Sequence, residues 1–279
     1  MKLHLVNYES SFNDGILTKF AVRLEEELKK LKVKVSVSNE ADPKADINHH
    51  INYWPYKPNN TKNTLMITHI WEGYKLDTVK EGMKTADKGI CMSADMIEYL
   101  VEQGIPRKKL AYVLPAHDGL PRKPKVISIL TNVYPDGCKR EQMFYQLCKV
   151  IDKSKFHFII MGTGWEHILK AIDGLQYTYL GQFDYEKHRE ILDASEYSLY
   201  FGLDEGSMGI LDAKNAGQRI ITTPVGFNKA MGIDYPFTTQ EELNAIFKDL
   251  EANPVKDWTW ENYARKHCQI WKKLNDQRT

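Results

Sequence analysis

Cysteine is scarce in this sequence: four in 279 residues, at 91, 138, 148 and 268. None forms a C-x-x-C pair, so neither a disulfide framework nor a zinc site is expected, and scattered thiols suit a reducing cytosol. Net charge is also missing. The formal balance is +1, so no global field argues for a nucleic-acid partner. The six tryptophans are spread from Trp54 to Trp271 and form no base-stacking platform. No apolar run approaches the roughly 20 residues needed to span a bilayer. The opening M-K-L-H-L-V-N-Y is strand-like, too short and too polar for a signal peptide. These absences predict a cytoplasmic protein. Basic clusters such as Lys29, Lys30, Lys32 and Lys34 leave room for peripheral membrane contact, although cations at a helix end also complement its dipole. There is no G-x-S-x-G, H-E-x-x-H, Walker A or EF-hand pattern, which argues against a serine hydrolase, a zinc protease and a phosphoryl-transfer ATPase. Short repeats and low-complexity tracts are absent too.

What is present is alternation. Apolar strand-like segments fall at about 3–8, 33–37, 47–53, 65–68, 89–92 and 110–114. Between the first two, Ile16, Phe20, Leu24, Leu28 and Leu31 recur at helical spacing. Ser93 caps a helix over about 94–103, which Gly104 and Pro106 stop. Strands alternating with helices predict an α/β fold with a parallel, doubly wound sheet. The stretch D-G-L-P-R-K-P-K at 118–125 reads as a linker. A second alternation follows: strands at 126–131, 156–161, 178–180, 197–201 and 219–222, with helices at about 141–151, 166–172, 185–194, from 208, and 240–250. The last segment, 260–274, is amphipathic. The expectation is two Rossmann-like domains facing across a cleft. The first covers 1–120, the second covers 121–260, and a closing helix covers 261–279.

The second domain is organised around 201–226, F-G-L-D-E-G-S-M-G-I-L-D-A-K-N-A-G-Q-R-I-I-T-T-P-V-G. A strand runs into an acidic, glycine-containing turn and then a helix. Unpaired N–H groups at a helix entrance favour anions, and the acids beside them suit hydroxyl groups. A sugar phosphate or nucleotide sugar needs both, while plain helix capping explains the same residues. Other candidates lie at strand ends. Phe12 to Gly15 follows the first strand, where Gly15 either lets a ligand approach or makes a plain turn. His69 follows the fourth, either touching a ligand or serving structure. His49 and His50 lie on opposite strand faces and make no metal pair without a third ligand. Lys139 and Arg140 precede a helix, where cations suit a diphosphate or simply face solvent. Gly162 and Gly164 in G-T-G-W lack the third glycine of a dinucleotide fingerprint and better suit a close strand-to-helix turn. Gly181 to Phe183 offers backbone that could read the edge of a base. The aromatics of N-Y-W-P-Y-K and W-E-G-Y-K either stack on a sugar or pack together.

Together these pieces resemble a GT-B glycosyltransferase of the retaining family 4 group. Its E-G-F-G-L-P-x-L-E-A-M-A-x-G-x-P-V-I-x-x-x-x-G is similar to D-E-G-S-M-G-I-L-D-A-K-N-A-G-Q-R-I-I-T-T-P-V-G here. Y-L-G-Q-F-D-Y-E-K-H-R-E-I-L-D-A-S-E-Y resembles the family stretch before it, G-T-G-W its G-x-G turn, and W-T-W-E-N-Y-A its closing helix. The resemblance covers nearly all of 126–275. The first domain is only broadly similar, through Gly15, Thr68, His69 and A-D-K-G-I-C-M-S. The resemblance implies transfer of a sugar from a nucleotide-diphosphate donor to an acceptor hydroxyl, with retention, no essential metal and no cofactor. It also implies an acceptor-side first domain, a nucleotide-sugar-binding second domain and a 261–279 helix that crosses back to the first. The acceptor is a glycan, a lipid-linked sugar or a small molecule. Position by position, Asp212 would bind the ribose hydroxyls. Asp204 or Glu205 would hold the donor sugar, with backbone amides of Gly206, Ser207, Met208 and Gly209. Lys139 and Arg140 would neutralise the diphosphate, and His69 would face the reacting centre. Two departures stand out: both family glutamates are aspartates here, at 204 and 212, and Tyr134 stands where the family's Arg-x4-Lys pair has arginine. They keep two rivals open, a GT-B sugar-nucleotide epimerase and a catalytically silent sugar-nucleotide-binding module.

Overall fold

The computed structural model describes residues 1–8, 15–71 and 73–276. Phe12 to Asp14 of the first candidate turn, Glu72 and the last three residues of the predicted 261–279 helix lie outside the described residues. The chain divides into two compact units, residues 1–120 with 254–279, and residues 121–253.

The first unit runs β1 (Lys2–Val6), α1 (Ile16–Lys30), β2 (Lys34–Ser38), β3 (Ile47–His50), β4 (Lys62–Ile67), α2 (Gly73–Thr85), β5 (Lys88–Cys91), α3 (Ala94–Glu102) and β6 (Leu110–Tyr112). The second runs β7 (Lys125–Leu130), α4 (Gln142–Val150), β8 (Phe156–Met161), α5 (Glu166–Lys170), β9 (Tyr177–Leu180), α6 (Tyr185–Ala194), β10 (Tyr197–Tyr200), α7 (Met208–Asn215), β11 (Arg219–Thr222), β12 (Tyr235–Pro236) and α8 (Gln240–Glu251). The chain ends in α9 (Trp260–Asp276). The α/β class and the pair of doubly wound, Rossmann-like units match the sequence expectation. The two-residue β12 was not anticipated, because Tyr235–Pro236 is too short to show a period.

Both sheets are parallel throughout the described residues. Their orders are β2-β1-β3-β4-β5-β6 and β12-β11-β10-β7-β8-β9. Read from its other edge the second is 3-2-1-4-5-6, the Rossmann order, while the first is 2-1-3-4-5-6, the flavodoxin-type order extended by one strand. Central strands covered on both faces read as continuous apolar runs. β8, F-H-F-I-I-M, is one, and its register sets Phe158 opposite Ile127 of β7. Helix starts obey local chemistry. The Ser93 hydroxyl accepts from Met96 N–H, Asp184 from Lys187 N–H, and Thr239 with Glu242 forms a capping box on α8.

α1 buries Phe20, Leu24 and Leu28, and α9 packs Trp260, Tyr263 and Trp271 into the same core. The Phe20 and Trp260 rings meet edge to face at 5.2 Å. One boundary differs from expectation: residues 254–260 belong to the first unit. His117 N–H donates to the Trp258 carbonyl at 2.9 Å, and the Trp260 indole N–H donates to Asp118 at 3.0 Å. These bonds fix the returning segment before α9 starts, and no local periodicity announces them. His49 and His50 do face opposite ways. His49 packs on His267 and Trp271, and His50 on Tyr8 and Tyr56.

Candidate functional site

In the second unit the chain walks outward from β7 through β8 to β9, then returns to place β10 on the other side of β7. The switch point therefore lies between β7 and β10. Loops leaving the carboxyl ends of those two strands diverge there and open a crevice suited to a ligand. Leu203 N–H donates to the Cys138 carbonyl at 3.0 Å, tying the two loops together.

Lys139 comes from the β7 loop and Asp204 from the β10 loop. Their side chains form an ion pair, 14% and 31% exposed. Tyr200, the last residue of β10, joins them: Lys139 Nζ donates to its hydroxyl at 2.9 Å, and that hydroxyl donates to Asp204 Oδ1. The Lys139 ammonium also lies 5.2 Å from the Tyr200 ring centroid. Burial disfavours the Lys139 charge, but the bonds to Asp204 and Tyr200 outweigh it and hold its pKa above the usual lysine value. Burial likewise works against the Asp204 carboxylate, and the bonds from Lys139 and Tyr200 prevail to hold it below the usual range. Burial, then the Asp204 carboxylate, pushes the Tyr200 phenol up to about 12. At neutral pH the pair is ionised and the phenol keeps its proton.

α7 begins beside this pair. Ser207 is its N-cap but makes no side-chain cap bond; its own N–H reaches Asn228 Oδ1 at 3.3 Å. The N–H groups of Met208 and Gly209 have no acceptor among the described residues. They are free first-turn donors, as expected at a helix start. The turn is held from behind by Phe227 N–H on the Glu205 carbonyl at 2.9 Å. A Cβ on Gly226 (φ 49) would stand 1.9 Å from that carbonyl, so the close approach requires glycine. The same contact turns the Gly206 backbone against the Phe227 ring. Glu205 is exposed and its carboxylate has no partner among the described residues. Asp204, which sequence alone left level with Glu205, is the acid built into the ion pair.

Arg140 is placed differently from the expectation. Its φ is 47. The side chain folds back on the unit: Nε donates to the Phe201 carbonyl at 2.7 Å, Nη1 to the Thr238 carbonyl at 3.1 Å and Nη2 to Thr223 Oγ1 at 2.8 Å. The guanidinium clamps the ends of β10 and β11 to the entry of α8. Three of its five N–H donors are thereby engaged within the unit, which leaves the guanidinium less free to meet a diphosphate than its place in the sequence suggests.

The other candidates fall around the same edge. Gly162 and Gly164 press against the backbone of residues 131–133, where any Cβ would clash, and Trp165 Nε1 donates to the Thr131 carbonyl at 2.8 Å. They make the close strand-to-helix turn. Gly181 has ordinary room around it and requires no glycine. Phe183 is 66% exposed and lies against the His188 ring at 5.4 Å. His188, which the sequence reading missed, is buried and its Nε2 stands 3.7 Å from Asp212. So Phe183 and Asp212 meet through His188. Met208 is 65% exposed. In the first unit, Gly15 caps α1 with φ 153, and His69 is exposed after β4 in the left-handed region, φ 52. Such backbone is uncommon outside glycine and clusters at functional sites. Among the described residues no group of three His, Cys, Asp or Glu side chains could hold a metal ion. No described helix is long and apolar enough to cross a membrane.

Tyr200 was also missed. It ends the strand Y-S-L-Y, and a tyrosine there reads as strand core. Its only sequence signal is that it is the last strand residue, four before Asp204.

No family model matches the chain, and no curated protein matches it. Among solved structures, HepE of Anabaena, crystallised with UDP and glucose, is 11% identical at a TM-score of 0.38, over 99% of this chain and 98% of that one. The lipopolysaccharide outer core galactosyltransferase WaaB is 13% identical at 0.39, over 98% and 100%. TarM of S. aureus, in complex with UDP, is 12% identical at 0.40, over 92% of this chain and 58% of its own. At these scores the fold is read from this chain's own strand order and the site from its own residues.

Proposed function

We propose that the protein is a glycosyltransferase that moves a sugar from a nucleotide-diphosphate donor to an acceptor hydroxyl, with retention of configuration and without an essential metal or cofactor. One observation carries the donor site: a fixed Lys139–Asp204 pair at the β7–β10 switch point, beside the free amides of α7. A leaving diphosphate gains charge as its bond to the sugar breaks. Fixed cations and N–H dipoles stabilise that charge without having to reorganise. Lys139 and the Met208 and Gly209 amides supply them, and Arg140 acts from behind as a clamp. Asp204 and the unpartnered Glu205 accept hydrogen bonds from the donor sugar. Asp212 takes the ribose hydroxyls, with Gly181 and Phe183 at the base. His69, exposed after β4 at φ 52, is the first unit's candidate catalytic side chain. Retention and metal independence rest on the family resemblance of 201–226. The acceptor is a glycan, a lipid-linked sugar or a small molecule.

A thermal-shift panel of nucleotide sugars that includes UDP-glucose tests the reading. A ligand at about 100 times its Kd stabilises by about 2.7 kcal/mol, a readily visible rise in melting temperature. Silence across the panel defeats the proposal. Interconversion of a bound donor sugar with no acceptor present would replace it with an epimerase.

A further inference from the structure

The β7 loop offers two adjacent cations, and one of them is largely engaged elsewhere. Arg140 is committed to Phe201, Thr223 and Thr238, and Tyr134 stands where the family pattern has arginine. Lys139 alone in that loop is left to meet a diphosphate, on a side chain with four rotatable carbons. Something must hold it.

The geometry points to Tyr200 as the positioning residue that holds Lys139 and Asp204 for departure of the donor's diphosphate; this rests on the donor-site reading above. Three facts support it. First, the ring is immobile: Tyr200 is 1% exposed and packs with Ile210, Ala213 and Ile220. Second, its hydroxyl closes a ring of hydrogen bonds, accepting from Lys139 and donating to Asp204 while Lys139 also donates to Asp204. Each bond in such a closed network polarises the next. Third, the backbone makes way for that hydroxyl. A Cβ on Gly202 would stand 2.2 Å from the Tyr200 oxygen. The ring itself requires that glycine, since the same Cβ would stand 2.4 Å from Cζ, but a tyrosine that merely filled space would not need its two polar partners.

Tyr200→Phe keeps the packing ring and removes only the oxygen. The first measurement needs no donor: a carboxyl ¹³C NMR titration of the full chain, with the Asp204 signal identified by its loss in Asp204→Asn. In the wild type the signal should titrate below the ordinary aspartate range. In Tyr200→Phe its midpoint should move up towards that range. The second measurement is kinetic. Losing one hydrogen bond to a charged group should lower kcat by about 10-fold or more, with the donor KM within about 3-fold. Gly202→Ala, which displaces the ring, should reproduce both effects. An unchanged midpoint in a folded Tyr200→Phe protein overturns the proposal, as does a KM effect with kcat intact. If the wild type binds no nucleotide sugar while the Asp204 midpoint still moves, the donor reading fails and the positioning by Tyr200 stands.

Discussion

The two sheets hold different chemistry at the places where their strand order reverses. In the first unit the reversal lies between β1 and β3. There the Tyr8 hydroxyl meets His50 Nδ1 at 2.8 Å, and His50 Nε2 meets Asn63 Oδ1 at 3.0 Å. With Asn63 Oδ1 accepting, Nε2 carries the proton and Tyr8 donates to Nδ1. Burial lowers the His50 pKa to about 4 and raises that of Tyr8 to about 12, so this chain of bonds is neutral. In the second unit the reversal holds an ion pair whose charges are locked in. A neutral relay suits hydroxyl groups, and a fixed cation beside free amides suits a diphosphate. The contrast supports placing the charged end of the proposed donor in the second unit. It also predicts a division of effects: core changes in the first unit should cost stability, and changes at the second unit's edge should cost chemistry.

The largest effect expected is on the first unit's core. Trp271 is fully buried between α9 and the sheet, and its indole N–H reaches Thr64 Oγ1 at 3.2 Å. Trp271→Ala should destabilise this unit by about 3–5 kcal/mol. Urea unfolding read by two probes should show the first unit's transition moving and the second's staying. Equal movement of both would break the division.

Acid should act on the same unit. His267 Nδ1 donates to the Tyr263 carbonyl at 2.9 Å, and Nε2 is buried without a partner among the described residues. Burial lowers its pKa from 6.5 to about 4. Burial, then the His267 and His50 charges, lowers that of His49 as well. The unfolded chain therefore binds protons that the folded one refuses. Stability is full above the unfolded value of 6.5 and is lost as pH falls towards about 4, by on the order of 3 kcal/mol for His267. Calorimetry across that window should show the loss, and His267→Gln should make it shallower while His50 and His49 keep the remainder. An equally steep loss in the variant would remove His267 as its cause.

Lys139→Ala comes next, at about 100-fold in turnover, the scale of removing one fixed transition-state donor. Donor affinity should fall less, because the charge matters most as the leaving group departs. Steady-state kinetics separates the two. A variant that loses affinity and keeps kcat would make Lys139 a mere ground-state contact.

How far the sequence shows these things depends on the reach of each contact. Both sheets were legible, because strand and helix periods are local. Asp204 and the α7 start were legible for the same reason: turn, acid and helix lie within a few residues. Arg140 was not. As a cation just before a helix it reads as a phosphate ligand, yet its acceptors are 61, 83 and 98 residues away and draw it inward. Tyr200 was hidden because aromatic residues are ordinary in strands, and only the tertiary fold shows its oxygen between two charges. The same holds for His267, whose neighbour His49 lies at the other end of the chain. Local pattern yields elements and the loops between them. It does not show which polar side chains those loops bring together.

The smallest expected effect tests the far end of the proposed donor site. Asp212 sits on α7 with its carboxylate 48% exposed and His188 Nε2 at 3.7 Å. An exposed acid gripping two ribose hydroxyls should contribute uniform binding, equal in the ground and transition states. Asp212→Ala should then raise the donor Kd by about 10-fold and leave kcat near the wild-type value, the reverse of the Lys139 pattern. Asp212→Glu restores the residue type of the family motif and one methylene of reach, so its affinity should match or exceed the wild type. Titration calorimetry with a nucleotide sugar and with the matching free sugar phosphate separates ribose from sugar contacts. Only the nucleotide-bearing ligand should respond to Asp212. If both lose affinity alike, Asp212 acts through the α7 entrance, and the ribose lies elsewhere along the edge of the sheet.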